Sequence, residues 1–482
     1  MKVAYVEKIR NAEKVAMLAG ISEDELIARA ATALADKLEK NSDKGKILCV
    51  AGTGNNGSDV LEAACILHGR GIKADILAFG DPTNGYNAAR REKAKELGLK
   101  FTTDPGGYAV VADGLFGVGL NREVEGEAKD LINKINASGA YVISADIPSG
   151  LCAESGYPLG AATEANETVS FIALKPGHLL GEGRNYCGKL SVADIGVKCE
   201  VVGSVTSEDE AKLPDRKPVS HKGNYGRVKI IGGSETMVGA PLMSYESAVA
   251  ALRAGAGLVT LCVPRSLAPA YQARVTENTL RLMPDRAGKL VFDEPTINEI
   301  ISDANAVVFG NGAGKSEDIA KIAVYIARNF SGTLVLDADA LNSIAGRENE
   351  LTGHKCKLIL TPHVGEFNRL CGNDNEVSRF KNVITYAQKL DATVCYKSAT
   401  TVITDGKNVR FNLTGTPALA KGGSGDVLAG IIGAFSCVMP AFNAAVAGCY
   451  HFGKAGERTA KRLGTVTSVL AGDVIIDLKY AK

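Results

Sequence analysis

The chain alternates short apolar runs with stretches whose apolar residues recur at helical spacing. KILCVAG (46–52), KADILAFG (73–80), AVVADG (109–114) and AYVISAD (140–146) are continuous apolar runs ending in Gly or Asp, as strands buried on both faces of a parallel sheet do. Segments 58–70, 86–98 and 126–138 between them carry the period of amphipathic helices. This βαβ succession predicts a doubly wound, Rossmann-like α/β domain over residues 1–210. Residues 204–220, SVTSEDEAKLPDRKPVS, are charged, contain Pro and lack periodicity, and read as a linker. A second α/β domain is predicted over residues 211–482, with RVKIIGG, GLVTLCVP, AVVFGNG, TLVLDAD and LILTPH as strands. No internal repeat relates the halves.

Composition narrows the function classes. With 482 residues, 45% of them hydrophobic, the chain has material for more than one core. Lys plus Arg number 55 against 54 Asp plus Glu, so no net field draws it to nucleic acid or an acidic membrane, and small molecules are the expected partners. Eleven cysteines without a C-x-x-C pair suggest reduced thiols and a cytoplasmic setting. The start MKVAYVEKIRNAEK has no signal-peptide core, and the late run VLAGIIGAFSCVMPAF is short and broken by Pro. A homo-oligomer is expected; the apolar helix pair at 11–39 serves either a subunit contact or the core.

AGTGNNGSD (51–59) places G-x-G-x-x-G at Gly52, Gly54 and Gly57 between a strand and a helix, a turn that lets backbone N–H groups approach a phosphate. A nicotinamide dehydrogenase would use such a loop, with Asp81 near the end of the second strand, and a ligand-free turn is the plain alternative. Asn55, Asn56 and Asp59, with Asp113, Asp146 and Ser149 at later strand ends, bring amide, carboxylate and hydroxyl oxygens to one sheet edge, a set suited to a hard cation. Taken singly, each could cap a helix or turn.

LAKGGSGD (419–426) offers Gly422, Gly423, Ser424 and Gly425 as an anion nest at a helix start near Asp426. A carboxylate beside that anion suits a general base for a hydroxyl attacking phosphorus; the rival reading makes it a helix cap. His363 and Glu366 in TPHVGEF, the acidic LDADALN and Lys397 in YKSATTVI complete a phosphoryl-transfer pattern.

GTGNNGSD, VADGLFGVGL, SADIPSGL and TVSFIALKPGHLLGEGRNYCGKLSVADIGV together resemble the epimerase half of the bifunctional NAD(P)H-hydrate repair enzymes. HKGNYG, IIGGSETMVGAPLMS, FGNGAG, LDADALN, TPHVGEF, YKSATTVI and LAKGGSGD resemble their ribokinase-like dehydratase half. The resemblance implies repair of hydrated NADH or NADPH. The first half exchanges the R and S forms at nicotinamide C6, and the second dehydrates the S form with ADP or ATP, ADP being favoured, and Mg2+. It also implies K+ on Asn56, Asp113 and Ser149. Asn55, Asn56, Gly57, Ser58, Asp59 and the span Gly117, Val118, Gly119, Leu120, Asn121, Arg122 and Glu123 would bind the hydrate, with Asp146 catalytic at its ring. In the second half Asp426 would be the base. Ala240, Gly312, Gly314 and His363 would contact the hydrate, and Lys397, Ser398, Ala399, Thr400, Thr401 and Gly422–Gly425 the nucleotide.

The family's first loop usually reads N-N-G-G-D-G, and here Ser58 and Val60 replace two glycines. Ser58 is expected to strain the turn and Val60 to crowd the pyrophosphate and raise KM. A small-alcohol kinase carrying an N-terminal binding or scaffold module is the alternative reading.

Overall fold

Along the strand Ile47–Ala51 side chains divide by parity. Ile47, Cys49 and Ala51 join the apolar cluster formed with helices Glu23–Glu39 and Asn55–Gly69, while Leu48 and Val50 join Leu131, Ile132 and Ile135 of helix Gly126–Ala137 on the other face. A strand covered on both faces must be apolar at successive positions, which is why its sequence does not alternate. These features come from a computed structural model that describes residues 1–235, 239–372 and 376–478. It divides into two units, Met1–Ser204 and Val205–Lys482, a division at the start of the polar segment.

The first unit carries a six-stranded parallel sheet in the order Ala74–Ala78, Ile47–Ala51, Val110–Gly114, Tyr141–Ala145, Glu167–Phe171, Lys189–Ala193. The helix after the glycine loop spans Asn55–Gly69 rather than 58–70, so both asparagines lie in its first turn behind the N-cap Gly54. The early apolar pair is Val6–Leu18 and Glu23–Glu39; Leu26, Ala31, Leu34 and Leu38 of the second helix are buried in this unit's core.

In the second unit the sheet runs Val409–Asn412, Thr401–Thr404, Thr393–Tyr396, Lys357–Leu360, Thr333–Leu336, Ala306–Phe309, Arg227–Ile231, Leu258–Pro264, Thr279–Met283. It is parallel from Thr279–Met283 through Thr393–Tyr396 and antiparallel beyond. Helix Ser424–Phe435 packs with Ala240–Ala254 and Ala441–Leu463 in one core. A Cβ at Gly430 would lie 2.1 Å from the Ser247 carbonyl oxygen, so glycine is what lets those helices approach. The late apolar run is thus two helices parted at Pro440, and among the described residues no helix is long and apolar enough to cross a membrane.

Candidate active sites

In the first unit the candidate groups gather at the carboxyl edge of the sheet, where open α/β sheets bind ligands. The glycine loop closes tightly: a Cβ at Gly57 would sit 2.2 Å from the Gly52 carbonyl oxygen. Asn55 donates to Glu23 at 2.9 Å and accepts from Asn84 at 2.7 Å, and Asn56 donates to the Phe116 carbonyl at 2.8 Å. A cleft of about 620 Å³ opens beside them, lined by Asn55, Asn56, Gly57, Asp59, Asp146 and the span Gly117–Arg122.

Two expected wall residues are elsewhere. Ser58 is fully buried with its Oγ donating to the Gly54 carbonyl at 3.2 Å, and Glu123 is exposed past the end of the lining span. The loop substitutions also differ from expectation. Ser58 is helical rather than left-handed, so it stores no backbone strain. Val60 is fully buried among Ala51, Ala63 and Ala112 and covers Gly114, where a Cβ would meet its Cγ2 at 2.4 Å. It faces the core, because helix Asn55–Gly69 begins three residues earlier than the sequence pattern indicates.

Asp113, Ser149 and Asn56 form one bonded cluster. Asp113 is fully buried and accepts from Ser149 Oγ at 2.6 Å, the Ser149 N–H at 2.9 Å and Ser144 Oγ at 2.8 Å. Ser149 Oγ accepts the Phe116 N–H at 2.8 Å and lies 3.2 Å from the Phe116 carbonyl oxygen that Asn56 also bonds. Burial pushes the Asp113 carboxyl up, and the groups bonded to it are neutral. A buried carboxylate with hydroxyl, amide and carbonyl oxygens beside it is a donor set that matches a monovalent cation.

Asp146 follows its strand in the left-handed region, φ 62°. Its carboxylate pairs with Lys175 and accepts the Phe171 N–H at 3.0 Å, and its carbonyl lies 2.9 Å from His178 Nε2. Lys175 is nearly fully buried and also donates to Ser170 Oγ at 3.0 Å and the Phe171 carbonyl at 3.2 Å. His178 Nδ1 accepts the Lys175 N–H at 2.9 Å. Burial, aided by Lys175, pushes the imidazole down to about 4; it is neutral, with its proton on Nε2 for the Asp146 carbonyl. Neither Lys175 nor His178 was assigned a role from sequence, although both stand in the K-P-G-H stretch.

In the second unit four strands deliver polar groups just beyond their carboxyl ends, and a helix start adds a fifth. Asn311 donates to Asp426 Oδ1 at 2.8 Å and lies 3.3 Å from Asp337 Oδ2; Asp337 accepts from Lys397 at 2.8 Å and Thr361 at 2.7 Å. Asp426 lies in the first turn of helix Ser424–Phe435, which starts two residues before it, and the N-cap is Gly423 at φ 90°. Asp426 is therefore not the N-cap. Burial, then the charge of Asp337, push its carboxyl up to about 7. Lys397 Nζ would lie 3.1 Å from a Cβ at Gly425, so the lysine and the Gly422–Gly425 turn adjoin. Ser398–Thr400 form the turn between strands Thr393–Tyr396 and Thr401–Thr404, with Ser398 Oγ donating to the Thr400 carbonyl at 2.6 Å.

Gly312 and Gly314 are left-handed, and Gly314 donates to Asp339 at 2.8 Å. The side chain of Ala240 lies outside the described residues. His363 caps helix Val364–Cys371: its Nδ1 accepts from Gly365 at 3.0 Å and Glu366 at 3.3 Å, and Nε2 is 3.4 Å from Glu366. Burial, then Lys397, push it down, so neutral His363 carries its proton on Nε2 and offers no free lone pair as a base. Asn311 and Thr361 were missed from sequence. Their signal was position, immediately beyond buried strands.

The model of the NAD(P)H-hydrate dehydratase family matches residues 228–477, and that of the YjeF-related protein N-terminus matches residues 23–177. The bifunctional NAD(P)H-hydrate repair enzyme Nnr of Thermofilum pendens is 33% identical, over 96% of this chain and 93% of its own. The Escherichia coli enzyme of the same name is 33% identical, over 99% and 93%. Among solved structures, a ribokinase-like superfamily protein from Enterococcus faecalis is 25% identical with a TM-score of 0.50, over 59% of this chain and 96% of its own. The chain belongs to the bifunctional NAD(P)H-hydrate repair enzymes, an epimerase unit followed by a ribokinase-like dehydratase unit.

Proposed function

We propose that the second unit activates the C6 hydroxyl of the S hydrate by phosphorylation, with Asp426 as base. The observation that supports this most directly is the pairing of Asp426 with the neutral Asn311 amide while Lys397 pairs with Asp337. A carboxyl pushed to about 7 takes up a proton efficiently near neutral pH. Asp426 removes the hydroxyl proton as oxygen attacks the terminal phosphorus of ADP or ATP. N–H groups of the Gly422–Gly425 turn at the helix start, and Lys397 beside them, stabilise the transferring group. The C6–O bond then breaks with phosphate leaving, and loss of a C5 proton restores the 5,6 double bond. Lys397–Thr401 hold the nucleotide; Ala240, Gly312, Gly314 and His363 contact the hydrate. Mg2+ bound to nucleotide phosphates needs few protein ligands.

The first unit binds the hydrate at Asn55, Asn56, Gly57, Asp59 and Gly117–Arg122 and presents its ring to Asp146. Asn56, Asp113 and Ser149 hold K+, whose charge balances the buried Asp113.

Pure R and pure S hydrate, each supplied with ADP or ATP, test the whole reading. The S hydrate gives reduced-nicotinamide absorbance and one inorganic phosphate per turnover, and the R hydrate does so at a rate set by isomer exchange. A stable phosphorylated alcohol with no phosphate released overturns it in favour of a small-alcohol kinase.

A further inference from the structure

The first cleft contains a second acidic side chain in an unusual state. Asp59 lies in the second turn of helix Asn55–Gly69, lines the cleft and is only 8% exposed. It has no hydrogen-bond or ion-pair partner among the described residues. The charges facing it are Asp146, Arg90, Glu13 and Lys175. Both cations among them are committed elsewhere: Arg90 to Asp24 at 2.7 Å and Glu62 at 3.3 Å, and Lys175 to Asp146. Burial, then the charge of Asp146, push the Asp59 carboxyl well above the usual carboxylate range. Glu13, also on the cleft wall, is pushed up by the same two causes. The cleft thus holds one carboxylate paired with a lysine, Asp146, and another, Asp59, buried without a cation of its own and pushed upward, the kind of unequal environment in which paired carboxyls divide acid and base roles.

We propose that Asp59 is the general acid and Asp146 the general base of isomer exchange, with Lys175 and His178 as positioning residues that aim Asp146. This rests on the epimerase reading of the first unit. The hydrate carries its hydroxyl on C6 next to ring nitrogen N1. Asp59 gives its proton to that hydroxyl, the C6–O bond breaks, water departs, and the N1 lone pair forms an N1=C6 iminium. Water then attacks C6 from the other face, its oxygen forms the new C6–O bond, the π pair returns to N1, and the released proton goes to Asp146. The enzyme is left with Asp59 ionised and Asp146 protonated, the state that performs the reverse exchange; proton exchange with solvent in the cleft resets it. One consequence is distinctive: the C6 oxygen of the product comes from water. Opening the ring to an aldehyde and closing it again would instead keep the original oxygen.

The experiment uses the full chain without nucleotide, so that the dehydratase unit is idle, with pure R hydrate in oxygen-18 water and separation of the isomers at early times. The expected result is S hydrate formed above the spontaneous rate and carrying the label at C6. Asp59→Asn and Asp146→Asn each lower kcat by roughly 10²-fold or more with KM changed little. Lys175→Met lowers kcat more than it raises KM, and Lys175→Arg restores part of the loss, a split that a purely structural lysine would not give. Product that keeps its original oxygen, or Asp59→Asn with near wild-type kcat, overturns the proposal while leaving the epimerase reading intact. Wild-type conversion no faster than the spontaneous rate overturns both. The label measurement needs only the unaltered enzyme, so a variant that fails to fold does not blunt it.

Discussion

Each unit sets a lysine beside a strand-end carboxylate, and the two use it in opposite ways. In the first, Lys175 bonds Asp146, the carboxylate that faces the cleft. In the second, Lys397 bonds Asp337, and Asp426 is left with an amide. Burial and the neighbouring charge of Asp337 then carry Asp426 to about 7. Where the lysine is committed therefore decides which carboxyl is left to be pushed upward by burial: Asp426 in one unit, the unpartnered Asp59 in the other. The residue types are the same, and the bonding partner makes the difference.

The largest expected effect comes from removing the exchangeable carboxyl of the second unit. Asp426→Asn keeps the shape and loses the proton acceptor, so dehydration of the S hydrate falls by roughly 10²-fold or more while R-to-S exchange is unchanged. Near wild-type phosphate release from this variant would erase the contrast between the units, and the capped, neutral His363 could not replace the lost base. Asp113→Asn should act only on the first unit. It removes the buried charge, and the potassium concentration for half-maximal exchange rises by at least about tenfold, read by titrating KCl at constant ionic strength; an unchanged midpoint argues against the cation site.

Val60→Ala tests a wall against a core. It removes two buried carbons and lowers stability by about 2 kcal/mol, measured by urea unfolding, with the KM for hydrate unaltered; a lower KM would restore Val60 to the cleft. The smallest effect sharpens the electrostatics. Asp426 must be ionised to accept a proton, so dehydration rises with pH through about 7. Asp337 is one of the two causes that raise that carboxyl, so Asp337→Asn moves the midpoint of this limb to lower pH, by about one unit or less because burial, the larger cause, remains. A midpoint that moved upward would contradict the assignment.

Much of this was legible in the sequence because strands covered on both faces announce themselves, as ILCVA and TLVL do, and because strand ends position ligand groups. Asp113 and Asp146 are read that way, Asp426 from the glycine nest before it and Lys397 from the hydroxyl residues beside it. What escaped were partners defined by three-dimensional closure. Nothing local marks Asn311 as the partner of a carboxyl 115 residues away, or Lys175 as the one that pairs with Asp146. Val60 was misjudged for a smaller reason. An α-helix turns about 100° per residue, so a start three residues earlier puts Val60 in the second turn, on the core side, rather than in the first turn beside the ligand.

The two units, Met1–Ser204 and Val205–Lys482, are joined in one polypeptide. Every molecule synthesised therefore carries one site that interconverts isomers and one that consumes them, and changes in expression cannot alter their ratio. The ratio of the two catalysed steps at given substrate levels is thus set by the intrinsic constants of the two sites, and it changes through residues within a site rather than through the abundance of one enzyme against another.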